Sequence, residues 1–367
     1  QRVGDVRRLF TMSVADLLEE FFQSPEILGM MAVSGVIGTW GGPRSPGTAY
    51  VLAHHKIGDI GDGQMGSWGF PEGGMGGATS AIRRAAEAFG ATIITDAPVQ
   101  QVFVSRGQVT GVMLQDGDEI KAPLVVTTVH PRIAFLQHLE RSLLPPDFVT
   151  QIERWKSRSG TVKINLALDC LPSFTCKPGF DPEVHGGTII LAPTLDQIEG
   201  AFQDAAAGTP AANALVDMCI PSVFDTTLAP PGKHVMSLFT QWVPHNFSES
   251  PHLGELEAYA DRILERVEGV APGFRSSILG RQIIGPHQMQ QEYGLWGGNI
   301  FHGELSISQM FHMRPAAGWP QFRTPIDGLY LASSATHGGG GVTGIPALQV
   351  VRQIQRDRRH RKMKRLD

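Results

Sequence analysis

Two glycine-rich segments have the spacing that suits a phosphorylated cofactor. Gly339-x-Gly341-x-x-Gly344 follows an apolar run at residues 329–332 and leads into a helical pattern over residues 345–355. Gly73-Gly74-Met75-Gly76-Gly77 likewise leads into a helical pattern, over residues 78–89. Free backbone N–H groups at a helix N-terminus favour an anion such as a pyrophosphate, so we expect both segments to approach a cofactor. Taken alone, each is also compatible with a structural role, because glycine lets a helix pack close to a sheet.

A third stretch, Gly61-Asp62-Gly63-Gln64-Met65-Gly66, has the literal dinucleotide fingerprint but the wrong surroundings. The fingerprint needs a strand before it and a helix after it, because the helix N-terminus holds the phosphate. Here His54-His55-Lys56 precedes the glycines and Pro71 follows them. We therefore interpret this stretch as a loop.

The other polar side chains form no recognised catalytic or metal-binding motif. The histidines have neither HExxH nor facial-triad spacing, and no carboxylates cluster with them, so no metal is predicted. The marks of acyl and phosphoryl transfer, a Gly-x-Ser-x-Gly elbow and a Walker loop, are missing from the sequence. No catalytic residue is assigned. His337 is of interest because it lies between a predicted strand and the second glycine segment.

Hydrophobic periodicity predicts the elements that position these segments. Helices are expected over residues 13–22, with Ser13 as the N-cap, and over residues 27–37 and 253–267. After the helix at residues 78–89, the pattern indicates a strand, a β-meander and a returning strand. The predicted strands cover residues 92–95, 101–105, 109–115, 124–129, 162–168 and 235–241.

Composition and charge are typical of a compact globular chain with little affinity for nucleic acid. The 367 residues are 42% hydrophobic and 18% charged, with a net charge of -4. Residues 356–367 carry seven basic and two acidic residues, or +5, which leaves -9 for the rest of the chain. An acidic body lacks the basic footprint of a nucleic-acid-binding protein. We interpret the basic tail as a frayed, solvated end.

Cysteine usage and the absence of a signal-like segment predict an intracellular protein, cytoplasmic in a bacterium or mitochondrial in a eukaryote. Cys170, Cys176 and Cys219 have no CxxC spacing and apolar neighbours, so buried, reduced thiols are expected. The uncharged run at residues 27–43 is short and interrupted by glycines. We interpret it as a buried helix and loop rather than a membrane span.

A series of ordered segments resembles the phytoene desaturase-like FAD oxidoreductases, a branch of the amine-oxidase flavoprotein superfamily. The resemblance extends over almost the whole chain. The segments include Gly73-Gly74-Met75-Gly76, Lys163-Ile164-Asn165, Gly297-Gly298-Asn299-Ile300-Phe301-His302, Arg314-Pro315 and the stretch from His337 to Gly344. So many matches in order identify the family better than any single glycine motif does.

The resemblance implies an α/β plus α+β fold: a glutathione-reductase-type FAD domain interrupted by a substrate domain of mixed sheet and helices. The first βαβ unit of that FAD domain is expected to be missing from this chain. The implied divisions are residues 1–66 and 136–322 for the substrate domain, 67–135 and 323–357 for the FAD domain, and 358–367 for the basic tail.

The resemblance also implies FAD as the cofactor and hydride removal from an apolar small molecule as the chemistry. Two residues, His302 and Arg314, are candidates for the substrate side. Ser333 and Ala335 stand where relatives usually have glycine, so their side chains are expected to crowd a close approach of the backbone to the cofactor. The implied cofactor-binding residues are Gly73, Gly74, Met75, Gly76, Val99, Ser333, Ser334, His337, Gly340, Gly341, Val342 and Gly344.

Two other functions remain open at this point. One is desaturation or isomerisation of a carotenoid or another long polyene, which calls for a long apolar tunnel and peripheral contact with a membrane. The other is a non-enzymatic, flavoprotein-like scaffold that acts through protein partners. A homodimer is also expected, because an incomplete FAD domain exposes an apolar face and a strand edge. A monomer in light scattering would contradict that expectation.

Overall fold

The computed structural model describes most of the chain and shows a mixture of helices and sheets, as predicted. Of the 61–66 stretch that we interpreted as a loop, residues 63–66 are described and contain a turn, and the others lie outside the described residues. The end of the predicted basic tail, residues 364–367, also lies outside them. The described residues are 2–58, 63–66, 69–192, 194–319 and 322–363.

The chain divides into two compact units. Unit 1 comprises residues 1–93 and 159–289, and unit 2 comprises residues 94–158 and 290–367. These limits differ from the divisions expected from the sequence, which assign residues 67–93 to the FAD domain. The expected divisions also assign residues 136–158 and 290–322 to the substrate domain, whereas both segments fall in unit 2 of the structure.

Helices and strands alternate irregularly along the chain, with short 3₁₀ turns between them. In chain order, the elements are α1 Arg2–Thr11, α2 Val14–Glu19, α3 Pro25–Ala32, α4 Thr48–Lys56, α5 Gly74–Ala88, β1 Val99–Ser105, β2 Gln108–Leu114, β3 Glu119–Lys121, β4 Val125–Thr127, α6 Pro131–Leu136, α7 Pro146–Glu153, β5 Thr161–Leu168, α8 Pro182–His185, β6 Ile189–Leu191, α9 Leu195–Ala206, β7 Leu215–Cys219, β8 His234–Gln241, α10 Leu253–Val270, β9 Ile278–Ile284, α11 Pro286–Tyr293, β10 Leu329–Leu331 and α12 Ile345–Met363.

Unit 1 is built on a five-stranded sheet in the order β6-β7-β8-β5-β9, in which every neighbouring pair is antiparallel. Side chains alternate between the two faces of the strands. On β5, Val162, Ile164 and Leu166 point into the main core, where residues of α9 and α10 such as Ile198 and Tyr259 also lie. The opposite face carries the polar side chains of the same strands, such as Lys163 and Asn165.

Unit 2 contains the predicted β-meander, β1-β2-β3, and a separate parallel pair of β4 and β10. The β1–β2 turn at Arg106-Gly107 has positive φ at both residues, 50° and 75°, as a two-residue I′ hairpin requires. The core of this unit includes Phe135, Phe148 and Leu329. After β10, the second strand of this pair, the chain continues into the glycine segment and then into α12.

The helix predicted at residues 78–89 begins earlier, at Gly74, and forms α5. The N–H of Gly73 donates to Asp225 Oδ2 at 2.6 Å, which fixes the start of the helix within unit 1. No side chain of α5 is fully buried, and Ile82 and Phe89 are largely exposed. This helix therefore presents an apolar face that the described residues of the chain do not cover.

Three local predictions are wrong. Residues 92–95 are not a strand, because no neighbouring strand among the described residues supplies hydrogen bonds to them. Cys170 and Cys176 are exposed rather than buried, since they lie in the irregular segment after β5. The basic tail is not frayed through residue 363, because α12 continues to Met363. Among the described residues, no helix combines the length and apolar character needed to cross a membrane.

Candidate functional site

The glycine segment of unit 2 begins as a tight turn whose polar groups are used internally. Ser333 Oγ accepts from the N–H of Ala335 at 3.1 Å, and the carbonyl of Ser333 accepts from the N–H of Thr336 at 3.0 Å. Ser333 and Ala335 are buried. The side chain of Ser333 therefore stabilises its own loop. Its hydroxyl accepts a hydrogen bond from the N–H of Ala335, which would lack this acceptor if residue 333 were glycine.

The second half of the segment, residues 338–344, is a close-packed backbone cradle that leads into α12. A Cβ at Gly340 would overlap the ring of Phe301, and Gly341 has a φ of 123°, a conformation that other residues rarely adopt. Val342, by contrast, is 86% exposed. Backbone without side chains next to a helix N-terminus suits the diphosphate or polyol part of a dinucleotide. The cradle therefore fits the group that the resemblance implies.

Gly340→Ala is expected to lower the free energy of unfolding by about 1–3 kcal/mol, the usual cost of overpacking, because Phe301 is buried and has little room to move. Urea unfolding followed by tryptophan fluorescence measures the change. The matched control is Gly200→Ala in α9, where an added Cβ meets nothing within 4 Å. That substitution should raise stability by about 1 kcal/mol through helix propensity. Equal effects of the two substitutions would contradict the close contact at Gly340.

Arg314 is buried within unit 2, where its guanidinium contacts an aromatic ring and several backbone carbonyls. It is 3% exposed, and its guanidinium lies 5.1 Å above the ring of Trp155. It donates to the carbonyl of Gln309 at 3.0 Å and to that of Ser334 at 3.1 Å. Longer contacts of 3.4 Å reach the carbonyls of Phe301, Gly303 and Glu304. Arg314 thus connects the loop that carries His302 to the glycine segment, and we assign it a positioning role.

His302 is held in a strained conformation by the same loop. Its φ is 54°, which is unusual for a residue with a side chain. Its carbonyl accepts from Trp155 Nε1 at 2.7 Å, and Asn299 Oδ1 accepts from the flanking N–H groups of Phe301 and Gly303. Burial, and then the charge of Arg314, lowers the pKa of His302 to about 4. The imidazole is therefore neutral at physiological pH.

His130 lies beside His302 and was missed by the sequence analysis. The ring centroids are 5.7 Å apart, and the ring of Trp296 stacks on His130 at 6.1 Å. His130 Nδ1 accepts from the N–H of Arg132 at 3.1 Å, so Nε2 carries the proton and donates to Ser157 Oγ at 2.8 Å. Burial holds the pKa of His130 well below its usual value. A signal was present in the sequence, since His130 follows the strand predicted at residues 124–129, and ligands of open α/β sheets bind beyond the carboxyl ends of strands.

The other predicted cofactor residues lie in separate parts of the chain. His337 is exposed and its ring lies 5.8 Å from that of Phe311. Val99 is the first residue of β1 and pairs with Leu114. The residues of the first glycine segment, Gly73, Gly74, Met75 and Gly76, belong to unit 1, whereas Val99 and the cradle belong to unit 2. A cavity of about 270 Å³ beside the cradle is lined by Phe322, His337, Gly338, Ile345, Gln349, Gln353 and Arg356.

The polar face of the unit 1 sheet is a second candidate site that the motifs did not reveal. Strand register places Asp217, Phe239 and Lys163 in one row across β7, β8 and β5. The two charged groups are thus two strand spacings apart, roughly 9–10 Å. Burial raises the pKa of Asp217 to about 6 and lowers that of Lys163. Cys219, one row along, also has its pKa raised by burial.

The next row of this face is a ladder of polar side chains at the edge of a cavity. Ser237 Oγ donates to Asn165 Oδ1 at 3.0 Å, and Asn165 Nδ2 donates to Gln282 Oε1 at 3.2 Å. The adjoining cavity measures about 500 Å³, and Leu228 and Val235 are among the apolar residues that line it. An apolar cavity with a few fixed polar groups is typical of small-molecule sites. Within the described residues, no group of three or more histidines, cysteines or acids could hold a metal ion.

Comparison with known proteins gives the family and part of the fold. Residues 20–346 match the model of the family described as flavin containing amine oxidoreductase. Pyridine nucleotide-disulfide oxidoreductase domain-containing protein 2 of Rattus norvegicus is 38% identical over 357 residues, 95% of this chain and 61% of the rat protein. The series of segments that match in order along the sequence predicted a similarity of this kind. Chloroplastic prolycopene isomerase of Daucus carota is 24% identical over 91% of this chain and 50% of that protein.

Two solved structures have a similar fold. An oxidoreductase from Methanosarcina mazei has a TM-score of 0.59 at 20% identity, covering 94% of this chain and 68% of the other. Cyclohexylamine oxidase from Brevibacterium oxydans has a TM-score of 0.51 at 16% identity, covering 90% and 63%. The chain spans about three fifths of the length of the rat protein and of its mouse counterpart. The family match and the identity to the rat protein confirm the family predicted from the sequence: this chain belongs to the flavin containing amine oxidoreductases.

Proposed function

We propose that the protein represented by this chain is an FAD-dependent oxidoreductase that removes a hydride from an apolar small molecule. The observation that carries the proposal is the cradle at residues 338–344, where bare backbone lies against Phe301 directly before α12. Membership of a flavin-dependent family supports FAD as the group that fits there. When bound, the flavin supplies the hydride acceptor, and the protein's residues hold and orient the reactants.

The finer fold assignment is also a proposal. We infer that unit 2 contributes to a glutathione-reductase-type FAD domain whose first βαβ unit is not in this chain. Two observations support it: the parallel sheet has only β4 and β10 among the described residues, and the chain spans 61% of the rat relative. Such a sheet normally has more strands, with helices on both faces. The homodimer expected from the sequence stays a prediction.

FAD would be held by the second half of the glycine segment more than by the first. Gly340, Gly341, Val342 and Gly344 offer close backbone or an exposed side chain at the start of α12. The turn at Ser333 uses its own amides internally, so Ser333 and Ser334 contribute by shaping the loop. Val99, His337 and the first glycine segment, Gly73 to Gly76, remain predicted contacts.

The apolar substrate is proposed to occupy the cavity of unit 1. Its lining is largely apolar, and the charge of Arg281 in it is paired with Glu257 and Asp261, which suits a molecule without charge. The ladder of Ser237, Asn165 and Gln282 supplies a few groups that would orient the molecule. Lys163 and Asp217 lie on the same sheet face and have opposite pKa shifts caused by burial. His302 and Arg314 belong to unit 2 and are proposed to support the cradle.

A second candidate is desaturation or isomerisation of a polyene. The observation in its favour is the similarity to proteins named prolycopene isomerase, at 24% identity. The 38% identity to the rat protein favours the first proposal over this one. Incubation with a long polyene and with a short apolar alcohol or amine, followed by product analysis, would separate the two candidates.

FAD titration of the purified chain, followed by visible absorption, tests the proposed cofactor. We expect a perturbed flavin spectrum that saturates at a defined stoichiometry. The control is a longer protein that includes the part its relatives have and this chain lacks. If the longer protein binds FAD and the chain does not, the cradle alone is insufficient. If neither binds, the oxidoreductase proposal is wrong and the non-enzymatic scaffold is favoured.

A further inference from the structure

The C-terminal helix α12 has one face fixed to unit 2 and another that is strongly basic. On the fixed face, Val350 and Gln353 are buried. Asp357 accepts from Tyr330 OH at 2.8 Å and forms an ion pair with Arg323. The helix is thus anchored through Asp357, and the charge of that carboxylate is already neutralised.

The outward face carries positive charge that no acid on the helix balances. Four arginines on this helix are exposed, and Asp357 is the only acidic residue between Ile345 and Met363. The sequence continues with further basic residues to give the +5 of residues 356–367, against -9 for the rest of the chain. A chain whose positive charge is concentrated at one end is oriented by the field of an anionic surface. The exposed arginines are Arg352, Arg356, Arg358 and Arg359.

The same side of the helix also exposes apolar side chains, which lie within the two turns before Arg352. Leu348 and Val351 are each 50% exposed, and Ile345 is 42% exposed. Apolar and basic groups together match the interface of a bilayer, where acyl chains meet anionic headgroups. Single-stranded nucleic acid is usually bound with aromatic side chains on which bases stack, and α12 contains no Phe, Tyr or Trp. The pattern therefore favours lipid over nucleic acid.

We propose that the basic face of α12 docks on a membrane surface rich in anionic phospholipid. The arginines contact the headgroup phosphates, and the exposed apolar residues lie at the boundary with the acyl chains. This contact needs no membrane-spanning segment and does not depend on flavin binding. It would place the protein where apolar molecules dissolved in a bilayer are concentrated.

Co-sedimentation of the full chain with vesicles tests the proposal. We expect binding to vesicles of phosphatidylcholine mixed with phosphatidylserine, little binding to phosphatidylcholine alone, and loss of binding as salt is raised. Arg358→Glu combined with Arg359→Glu should weaken binding at least about tenfold, since each basic residue near the surface contributes about a factor of five. The fold should survive, because both side chains are exposed.

The matched control is Arg84→Glu combined with Arg154→Glu, which changes the net charge equally at two exposed arginines elsewhere. It should retain most of the vesicle binding. Circular dichroism and urea unfolding check that both double variants are folded. Equal losses in the two variants, no binding to anionic vesicles, or tighter binding to DNA than to vesicles at the same salt concentration would each overturn the proposal.

Discussion

Arg314→Met should lower the free energy of unfolding by at least about 3 kcal/mol, because it leaves several buried carbonyl oxygens without their donor. The two best of these, on Gln309 and Ser334, accept at 3.0 and 3.1 Å. Methionine replaces the aliphatic stem but none of the N–H groups. Hydrogen exchange should show the loss in the segments around His302 and Ser333, which Arg314 connects, before it appears in the sheet of unit 1.

Two further variants test whether the guanidinium is the cause. Arg314→Lys keeps the charge but has three donors in place of a planar fork, so it should recover only part of the stability. Arg154→Met, at an exposed site, should change stability by no more than about 0.5 kcal/mol. If Arg314→Met were as stable as the unaltered chain, the positioning role would be wrong. Arg314 would then have to be reconsidered as a group that faces a ligand.

Local sequence signals predicted many of the elements that form through local interactions. Ser13 caps α2, and the predicted helix beginning at Leu253 continues to Val270. The Arg106-Gly107 turn joins β1 and β2 because its two residues adopt the required positive φ. The prediction of a strand at residues 92–95 was wrong because an extended segment needs a partner strand, which a local sequence pattern does not reveal.

The site was harder to predict because its groups come together through long-range pairing. Lys163 and Asp217 share a row only because β8 lies between β5 and β7, an order that the chain sequence does not dictate. His130 meets Ser157 and His302 through tertiary packing. The family resemblance pointed to Arg314, but only its bonds to backbone carbonyls indicate a positioning role. The glycine segment could be predicted, because its spacing is local.

Asp217→Asn should raise the free energy of unfolding at pH 8 by about 2–3 kcal/mol and leave it nearly unchanged near pH 4. Burial raises the pKa of Asp217 from 3.8 to about 6 in the folded chain. Between these values the folded state holds a proton that the unfolded state has released, so stability falls as the pH rises from about 4 to 6. Above pH 6 the carboxylate is ionised in both states, so the free-energy penalty of burying its charge no longer changes with pH. Each unit of pKa shift corresponds to about 1.4 kcal/mol of this penalty. Asparagine removes the charge and with it this cost.

Urea unfolding of both proteins across this pH range measures the difference, in which the contributions of the buried histidines cancel. Glu119→Gln, at an exposed position on β3, is the control and should stay within about 0.5 kcal/mol at every pH. If Asp217→Asn instead destabilised the chain at pH 8, the carboxylate would be a structural partner of Lys163. If the substitution stabilises the chain, the carboxylate of Asp217 lowers the stability of the natural protein. Its presence on the sheet face that bears the cavity then needs another reason. A functional role for Asp217 is the reason we infer, because natural sites commonly give up stability for function.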